Sequence, residues 1–158
     1  MAEISNVYDS ETKETVQYIV VKIGGEQYGI NISYIDNIVR MCKVTRVPKA
    51  PSFFPGVITL RGEVVPLMSL RRRMSLPDDE ITNNSRIIIL RLETQGLIGV
   101  IVDQVKEVLT LSTDDVEKKP QTAVKETKET FIDGVGKNGS ELISILDIAA
   151  VMGEVEEA

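Results

Sequence analysis

Apolar, β-branched runs interrupted by short polar turns that contain glycine recur along this chain. Four of these runs form two pairs, each pair around one turn: residues 18–23 with 27–32, and residues 87–92 with 97–102. Both pairs predict a β-hairpin, because such runs bounded by glycine are typical of strands. Gly29 of the first pair recurs as Gly99 of the second at an offset of 70 residues, so the two hairpins are copies of one pattern.

Each predicted hairpin leads into a segment whose apolar residues lie three apart. These residues are Ile32, Ile35 and Ile38 in the first half, and Val102, Val105 and Val108 in the second. The offset is again 70. A spacing of three predicts one or two helical turns, with Ser33 and Asp103 as their caps.

The repeat continues downstream at an offset of 78, where Gly56-Val57 recurs as Gly134-Val135. The matching apolar positions are Val64, Leu67 and Leu70 against Leu142, Ile145 and Ile148, and the turns between them are Arg61-Gly62 and Asn138-Gly139. Asn-Gly predicts a type I′ turn, whereas Arg-Gly predicts a turn with glycine alone at positive φ, such as type II or a G1 bulge. The larger offset implies an insertion, which falls in the polar stretch 112–130.

This duplication predicts an all-β protein of two small barrels side by side, because barrel closure removes exposed strand edges. The first barrel is expected to span about residues 15–76 and the second about 85–152, with a polar linker between them. Residues 1–14 and the acidic residues 153–158 are predicted to be tails. Whether each barrel is closed by its own strands or exchanges strands with its neighbour stays open.

The composition excludes several classes of catalytic and metal-binding site. The chain has 158 residues, no histidine and one cysteine, Cys42. The absence of histidine excludes Ser-His and Cys-His nucleophile pairs and histidine metal sites. A single cysteine excludes an intrachain disulfide and a four-cysteine zinc site. We therefore expect no enzyme, no cofactor and no metal, although carboxylate chemistry stays open among the 24 acidic residues.

Charge and hydropathy narrow the location and the partners. The formal net charge of −6 argues against a nucleic-acid binder, whose domains are usually basic. No apolar run approaches the roughly 18–20 residues of a membrane helix, and the polar N-terminal residues lack the apolar stretch of a signal peptide. With a single cysteine, the sequence predicts a cytoplasmic, reduced protein.

Residues 134–139 match the pattern G-x-G-x-x-G, the fingerprint of a dinucleotide-binding loop. That fingerprint requires a strand before it and a helix after it. Here polar residues 125–130 precede it and a strand-like run, 141–145, follows it. We interpret the motif as a glycine-rich hairpin turn.

Basic residues concentrate between Arg40 and Met74. This segment holds eight lysines and arginines and a single acid, Glu63, while the rest of the chain holds 10 basic and 23 acidic residues. Such a polar charge distribution is typical of an oriented partner surface. The alternative is that residues such as Arg71 are solvated surface after a strand.

An ordered series of motifs closely resembles the CheW family of bacterial chemotaxis coupling proteins. The densest match is Val44-Thr45-Arg46-Val47-Pro48, Ala50-Pro51, Phe53, Gly56-Val57-Ile58, Leu60-Arg61-Gly62, Val64-Val65-Pro66 and Leu70-Arg71. Two further motifs are Tyr28-Gly29-Ile30-Asn31-Ile32 and Gly99-Val100-Ile101-Val102-Asp103. The resemblance runs from about residue 16 to residue 152, nearly the whole chain.

The resemblance implies a CheW-like domain over residues 15–152, built of two five-stranded SH3-like barrels. It implies a non-enzymatic adaptor that joins the cytoplasmic signalling tip of chemoreceptors (methyl-accepting chemotaxis proteins) to the regulatory domain of the histidine kinase CheA. Neither nucleic acid nor direct membrane insertion is implied. The protein would be peripheral to the membrane through receptor complexes.

The resemblance also implies a receptor-binding groove between the barrels, with Ile32, Ile35 and Val105 as apolar anchors and Arg61 nearby. Gly56 and Gly62 are expected to influence binding through backbone geometry. From the residues alone, the three apolar anchors are interpreted as ordinary core residues, and Arg61 has the alternative of an exposed turn residue.

The chain departs from the family pattern at two positions. Ser69 stands where the family usually has Asp, which bears on a local cap or turn. Asn37 stands where the family often has Glu, which bears on a partner-facing charge. The alternatives that we carry forward are a CheV-type adaptor, a regulatory module of a kinase, a nucleic-acid-binding small barrel and a carboxylate enzyme.

Overall fold

The computed structural model describes residues 14–93, 95–118 and 131–153. Within these ranges the chain forms eleven strands, two short α-helices and two 3-10 turns, which confirms the all-β prediction. Most of both predicted tails (residues 1–13 and 154–158) and residues 119–130 of the predicted insertion lie outside the described residues.

The strands follow one another in the order expected from the repeat. They are β1 Thr15–Ile23, β2 Glu26–Asn31, β3 Ile35–Arg40, β4 Gly56–Leu60, β5 Glu63–Ser69, β6 Arg86–Leu92, β7 Gly96–Val102, β8 Gln104–Ser112, β9 Val116–Lys118, β10 Ile132–Asn138 and β11 Glu141–Leu146. Helix α1 (Leu70–Arg73) follows β5, and helix α2 (Ile148–Gly153) follows β11. The 3-10 turns are Ile32–Tyr34 and Thr113–Asp115.

The strands form two sheets, and each sheet takes strands from both halves of the chain. The first has six strands in the order β8-β1-β2-β11-β10-β9, and the second has five in the order β3-β6-β7-β5-β4. The hairpin β1–β2 therefore lies with the later strands of the second half, and β6–β7 with those of the first half. The boundary near residues 76–85 divides the sequence, but it does not divide the sheets.

The two sheets repeat the same pairing. Gly29 pairs with Val20 on one side and with Ile145 on the other, while Gly99 pairs with Ile89 and Leu67. Strand β9, the sixth strand of the first sheet, corresponds in the second sheet to a single β-bridge between Thr45 and Val57. The sequence repeat is thus a structural repeat, although one sheet carries six strands where five were expected.

Three apolar clusters explain why β1 and β6 are apolar on consecutive residues. On β6, Ile87 and Ile89 face a cluster inside the second sheet, whereas Ile88 and Leu90 face a larger cluster shared by both sheets. On β1, Tyr18 and Val20 face the inside of the first sheet, and Ile19 and Val21 face the shared cluster. A strand buried on both faces loses the polar alternation of a surface strand.

The predicted helical turns are largely wrong. Only Ile32–Tyr34 is a 3-10 turn, and its cap is Asn31, whose side chain accepts a hydrogen bond from the Ser33 amide at 2.9 Å. Ile35 begins β3 and Val105 lies on β8. Both strands shift register just after these residues, so that residues three apart oppose the same face of the neighbouring strand. A β-bulge, which adds one residue to one strand, produced the spacing of three.

The turn types were also assigned the wrong way round. Arg61 and Gly62 both have positive φ, 52° and 83°, which is the type I′ pattern expected for Asn-Gly. At the second turn Asn138 still pairs with Glu141, so that the loop is Gly139-Ser140, and Gly139 is its residue with positive φ, 65°. The pairing register is the same in both hairpins, because the pair Leu60–Glu63 corresponds to the pair Asn138–Glu141 at an offset of 78. The two loop positions therefore hold Arg61-Gly62 in one hairpin and Gly139-Ser140 in the other.

Candidate partner-binding groove

Two bulged strands carry the predicted apolar anchors. β8 lies at one end of the first sheet and β3 at one end of the second. Ile35 on β3 and Val105 on β8 are partly buried against the shared cluster. Ile32, in the 3-10 turn before β3, is 38% exposed. These residues therefore border the core between the sheets and remain accessible in part, as a groove requires.

Sequence reasoning missed two further residues on the same faces. Ile38 opposes Ile88, and Val108 opposes Ile19, so both lie on the strand face that carries Ile35 or Val105. They are 37% and 50% exposed. The spacing of three had already selected both residues, but assigning it to a helix concealed that they extend the apolar surface along the strand.

An ion pair fastens the start of β8. Asp103, two residues before Val105, accepts hydrogen bonds from Arg71 Nη2 at 2.6 Å and Nε at 3.2 Å, and from the Gly24 amide at 2.9 Å. Burial by itself would raise the pKa of Asp103, but the bonds from Arg71 and Gly24 outweigh it and the pKa is lowered. The bond to Asp103 raises the pKa of Arg71. Asp103 is therefore an anchor between elements, and the predicted helix cap is wrong.

Ser69, the first departure from the family pattern, is the cap of α1. Its buried hydroxyl accepts a hydrogen bond from the Arg72 amide at 3.2 Å and donates one to Asp79. Burial raises the pKa of Asp79. In the second half, Asp147 caps α2 by accepting from the Ala150 amide at 3.1 Å. A serine thus serves as the cap, and a carboxylate from the predicted linker hydrogen-bonds to it.

Asn37, the second departure, lies on β3 just after the bulge. Asn37 is half-buried, and its side-chain Oδ1 is buried without a hydrogen-bond partner among the described residues. A buried, unsatisfied acceptor is costly in a folded protein. Asn37 pairs with Ile89, which faces the cluster inside the second sheet, so its side chain lies on the face of β3 opposite to that of Ile35 and Ile38.

Arg61 and the two glycines lie on the β4–β5 hairpin. Arg61 is exposed at its tip and forms no hydrogen bond or ion pair with any described residue. A Cβ on Gly56 would come within 2.2 Å of the Thr45 carbonyl oxygen, so only glycine allows this approach. Gly62 instead has open space around it and a φ of 83°, which glycine adopts readily.

Part of the basic segment is used inside the molecule. Arg72 bonds to Asp78 and to the Ser52 carbonyl oxygen, at 3.2 and 2.9 Å. Arg73 is buried, donates to the Val151 carbonyl oxygen at 2.8 Å, and stacks over the rings of Phe53 and Phe131 at 4.9 and 4.5 Å. Arg71, Arg72 and Arg73 thus form contacts within the molecule. The interpretation of the whole basic segment, Arg40 to Met74, as partner-facing or solvated surface is therefore wrong for these three residues.

The glycine-rich motif is a hairpin, as predicted. Gly134 and Gly136 lie in β10. A Cβ on Gly134 would come within 2.7 Å of the Glu117 carbonyl oxygen, and a Cβ on Gly136 within 2.5 Å of Leu111 Cδ1. These glycines serve close packing. Across the described ranges, no group of three or more acidic or cysteine side chains is placed to hold a metal ion.

Comparison with known proteins decides the family, because the model of the CheW-like domain matches residues 17–156. The chain belongs to the CheW-like family. It is 35% identical over 143 residues to the chemotaxis protein CheW of Bacillus subtilis, covering 90% of each chain. It is also similar to the solved structure of the scaffolding protein TtCheW from Thermoanaerobacter tengcongensis, with a TM-score of 0.76 and 28% identity over 84% of this chain and 89% of that one.

These similarities confirm the fold of two SH3-like barrels, which the two sheets form here. The chain is more distantly similar to chemotaxis protein CheV3 of Helicobacter pylori, with 23% identity over 42% of that protein's length. CheW proteins are therefore the better match than CheV-type adaptors. Among the helices that the structure describes, none has the length and hydropathy of a membrane span.

Proposed function

We propose that this protein is a non-enzymatic chemotaxis scaffold that couples the cytoplasmic tips of chemoreceptors to the regulatory domain of the histidine kinase CheA. The observation that carries the proposal is the match of a CheW-like domain to nearly the whole chain. CheW-like proteins are adaptors without catalytic activity, and their partners belong to chemotaxis signalling. The protein would work in the cytoplasm, held near the membrane by receptor complexes.

The groove supports a receptor helix as one partner. Ile32, Ile35 and Val105 supply apolar contacts, and Ile38 and Val108 continue them along β3 and β8. An amphipathic helix recognises such a groove through an apolar stripe. The exposed surface here is apolar, which favours a protein helix over single-stranded nucleic acid, whose sites combine aromatic and basic residues.

Arg61, at the tip of the hairpin of β4 and β5, is the residue that we propose as a polar contact for the receptor. Arg61 is exposed and uncommitted within the described part of the chain, so its guanidinium is available to a carboxylate of a partner. Gly56 and Gly62 hold the hairpin in shape through close approach and positive φ. Their substitution would therefore affect binding indirectly.

Two separate binding measurements test the proposal. The full chain is titrated by calorimetry with a purified receptor signalling tip, and separately with the isolated regulatory domain of CheA. Saturable binding to both partners is expected. Binding to neither partner, with the protein folded, would contradict the scaffold function.

A further inference from the structure

A cleft of about 570 Å³ opens beside the groove, at the 3-10 turn between Ile32 and Ile35. Three segments of the chain line it: the 3-10 turn itself, the end of β6 with the turn that follows it, and helix α2. The lining residues that matter below are Ser33, Arg91, Glu93, Ile148, Ala149 and Met152.

The structural repeat places an equivalent site beside Val105. Offsets of 70 and 78 relate Asp103 to Ser33 and Arg71 to Ala149. The strand pairing relates Gly24, in the turn after β1, to Glu93, in the turn after β6. The two sites therefore share one backbone arrangement and differ in side chains.

In the equivalent site, an arginine side chain occupies the space. Arg71 binds Asp103 through two nitrogens, at 2.6 and 3.2 Å, and its Nη1 donates to the carbonyl oxygens of Pro77 and Asp78 at 3.2 Å. Its side chain is only 13% exposed. In the cleft, Ala149 and Ser33 replace this pair, and no side chain of the described residues fills the space that a guanidinium occupies in the equivalent site.

The charges around the cleft favour a cation. Arg91 is paired with Asp36 at 2.7 Å, so its charge is matched. Glu93 is exposed and adds a carboxylate at the position of Gly24, which in the equivalent site carries no side chain. Ile148 and Met152 supply an apolar floor of the kind on which the methylene stem of a long basic side chain packs.

We infer that this cleft takes an arginine side chain presented by the receptor helix that binds the groove, in the way that the equivalent site takes Arg71. This inference rests on the proposed function. A guanidinium suits the site better than an ammonium, because it can bond to the Glu93 carboxylate and the Ser33 hydroxyl from one planar group. The open cleft next to Ile35 and the filled site next to Val105 would also set the direction in which the helix lies.

Filling the cleft with the side chains of its equivalent tests the inference. The double variant Ser33→Asp with Ala149→Arg introduces the Arg71–Asp103 pair into the cleft, on a backbone that already accommodates this pair once. We expect its dissociation constant for the receptor tip to rise by about tenfold or more, the loss of one charge-assisted contact. Binding to the CheA regulatory domain should be unchanged.

Ala150→Arg is the control for the added arginine, which it places one residue away from the cleft position. Its equivalent, Arg72, is tolerated with a 39% exposed side chain. Receptor binding by this variant should remain near that of the unmodified chain. If the double variant fails to fold, Glu93→Gln replaces it, with an expected loss of receptor affinity that shrinks as salt is added.

A second measurement does not depend on the receptor. N-acetyl-arginine amide is titrated into the protein while the backbone amide signals of Ser33, Leu92 and Glu93 are followed by NMR. We expect saturable shifts in the unmodified chain and none in the filled variant. N-acetyl-norleucine amide, an apolar probe of similar length, should leave these signals in place.

Three results would overturn the inference: equal shifts from the norleucine compound, no shifts from the arginine compound, or unaltered receptor binding by a folded filled variant. Arginine-induced shifts in a chain that binds no receptor tip would instead contradict the receptor as the source of the side chain. That outcome would also contradict the proposed function, while the preference of the cleft for a guanidinium would stand.

Discussion

At the scale of single residues, the arginines divide into internal contacts and an exposed group. Arg71 and Arg73 are held by Asp103 and by the Val151 carbonyl oxygen, whereas Arg61 protrudes from a tight turn without a partner among the described residues. One basic segment of the sequence therefore serves two purposes. Substitutions within it should have effects of different kinds.

Arg61→Ala should reduce receptor binding without unfolding the protein. As an exposed residue, Arg61 should change the free energy of unfolding by about 0.5 kcal/mol or less, while loss of a charge-assisted contact would cost about 1.5–3 kcal/mol of binding. Calorimetric titration with the receptor tip and urea denaturation measure the two quantities. Arg46→Ala is the control, because Arg46 is also exposed in the basic segment. Equal, small losses from both variants would indicate a diffuse charge effect.

Asp103→Asn should destabilise the protein at neutral pH, by about 1–3 kcal/mol for a partly buried, charge-assisted pair. The folded-state pKa of Asp103 is lowered, so its stabilising contribution is present above the unfolded pKa and is lost as the pH falls through the folded pKa. The difference between variant and unmodified chain should therefore shrink in acid. Urea denaturation from pH 7 to pH 3 measures this, and a difference independent of pH would show that the charge is not responsible.

At the scale of elements, two bulged end strands carry the apolar residues of the candidate groove. The bulges after Ile35 and Val105 place apolar residues three apart on one face, which a regular strand would send to opposite faces. Edge strands are commonly protected by bulges. Here the bulges also aim apolar side chains at the boundary between the two sheets.

Val105→Glu should weaken receptor binding more than binding to the CheA domain, because a carboxylate would enter an apolar contact at a cost of several kcal/mol. Val64→Glu is the matched control, since Val64 is 67% exposed on β5. Binding of both partners to the folded variants is measured by calorimetry. If Val105→Glu unfolds the protein, Val108→Glu repeats the test at a position that is 50% exposed. Unaltered receptor binding by Val108→Glu would then exclude this face.

At the scale of the whole molecule, the two halves depend on each other. Each sheet combines the hairpin of one half with later strands of the other, and the largest apolar cluster draws on both sheets. A hairpin separated from these strands would expose its apolar faces to water. The duplication therefore produced two barrels that are not independent domains.

Separately expressed fragments 15–76 and 85–152 should each fail to fold, and mixing them should restore structure. Two-dimensional NMR of each fragment, and of the equimolar mixture, distinguishes the outcomes through signal dispersion. Dispersed spectra from either fragment alone would mean that its own strands close a barrel. In each fragment the hairpin lacks the strands of the other half that flank it in the full chain. A two-stranded hairpin by itself is marginal in water, so we expect neither fragment to fold alone.

Local features of this protein were predictable from its sequence because they depend on neighbours along the chain. The hairpins, the repeat and the glycine-rich turn at Gly139 follow from β-branched runs and from the backbone freedom of glycine. The family's motifs also predicted the barrels and the apolar anchors Ile35 and Val105. In the structure Ile35 and Val105 lie partly buried against the shared cluster.

Features that depend on distant residues were decided only by the tertiary structure. Periodicity cannot distinguish a helical turn from a bulged strand, since the bulge exists only against the partner strands that β3 and β8 meet. A local pattern likewise cannot assign hairpins to sheets, because both exchanged and unexchanged pairings satisfy the same backbone hydrogen bonds. Arg71 and Ala149 are equivalent in the repeat but have different surroundings. Arg71 pairs with Asp103 across the fold, whereas Ala149 lines a cleft that no described side chain fills.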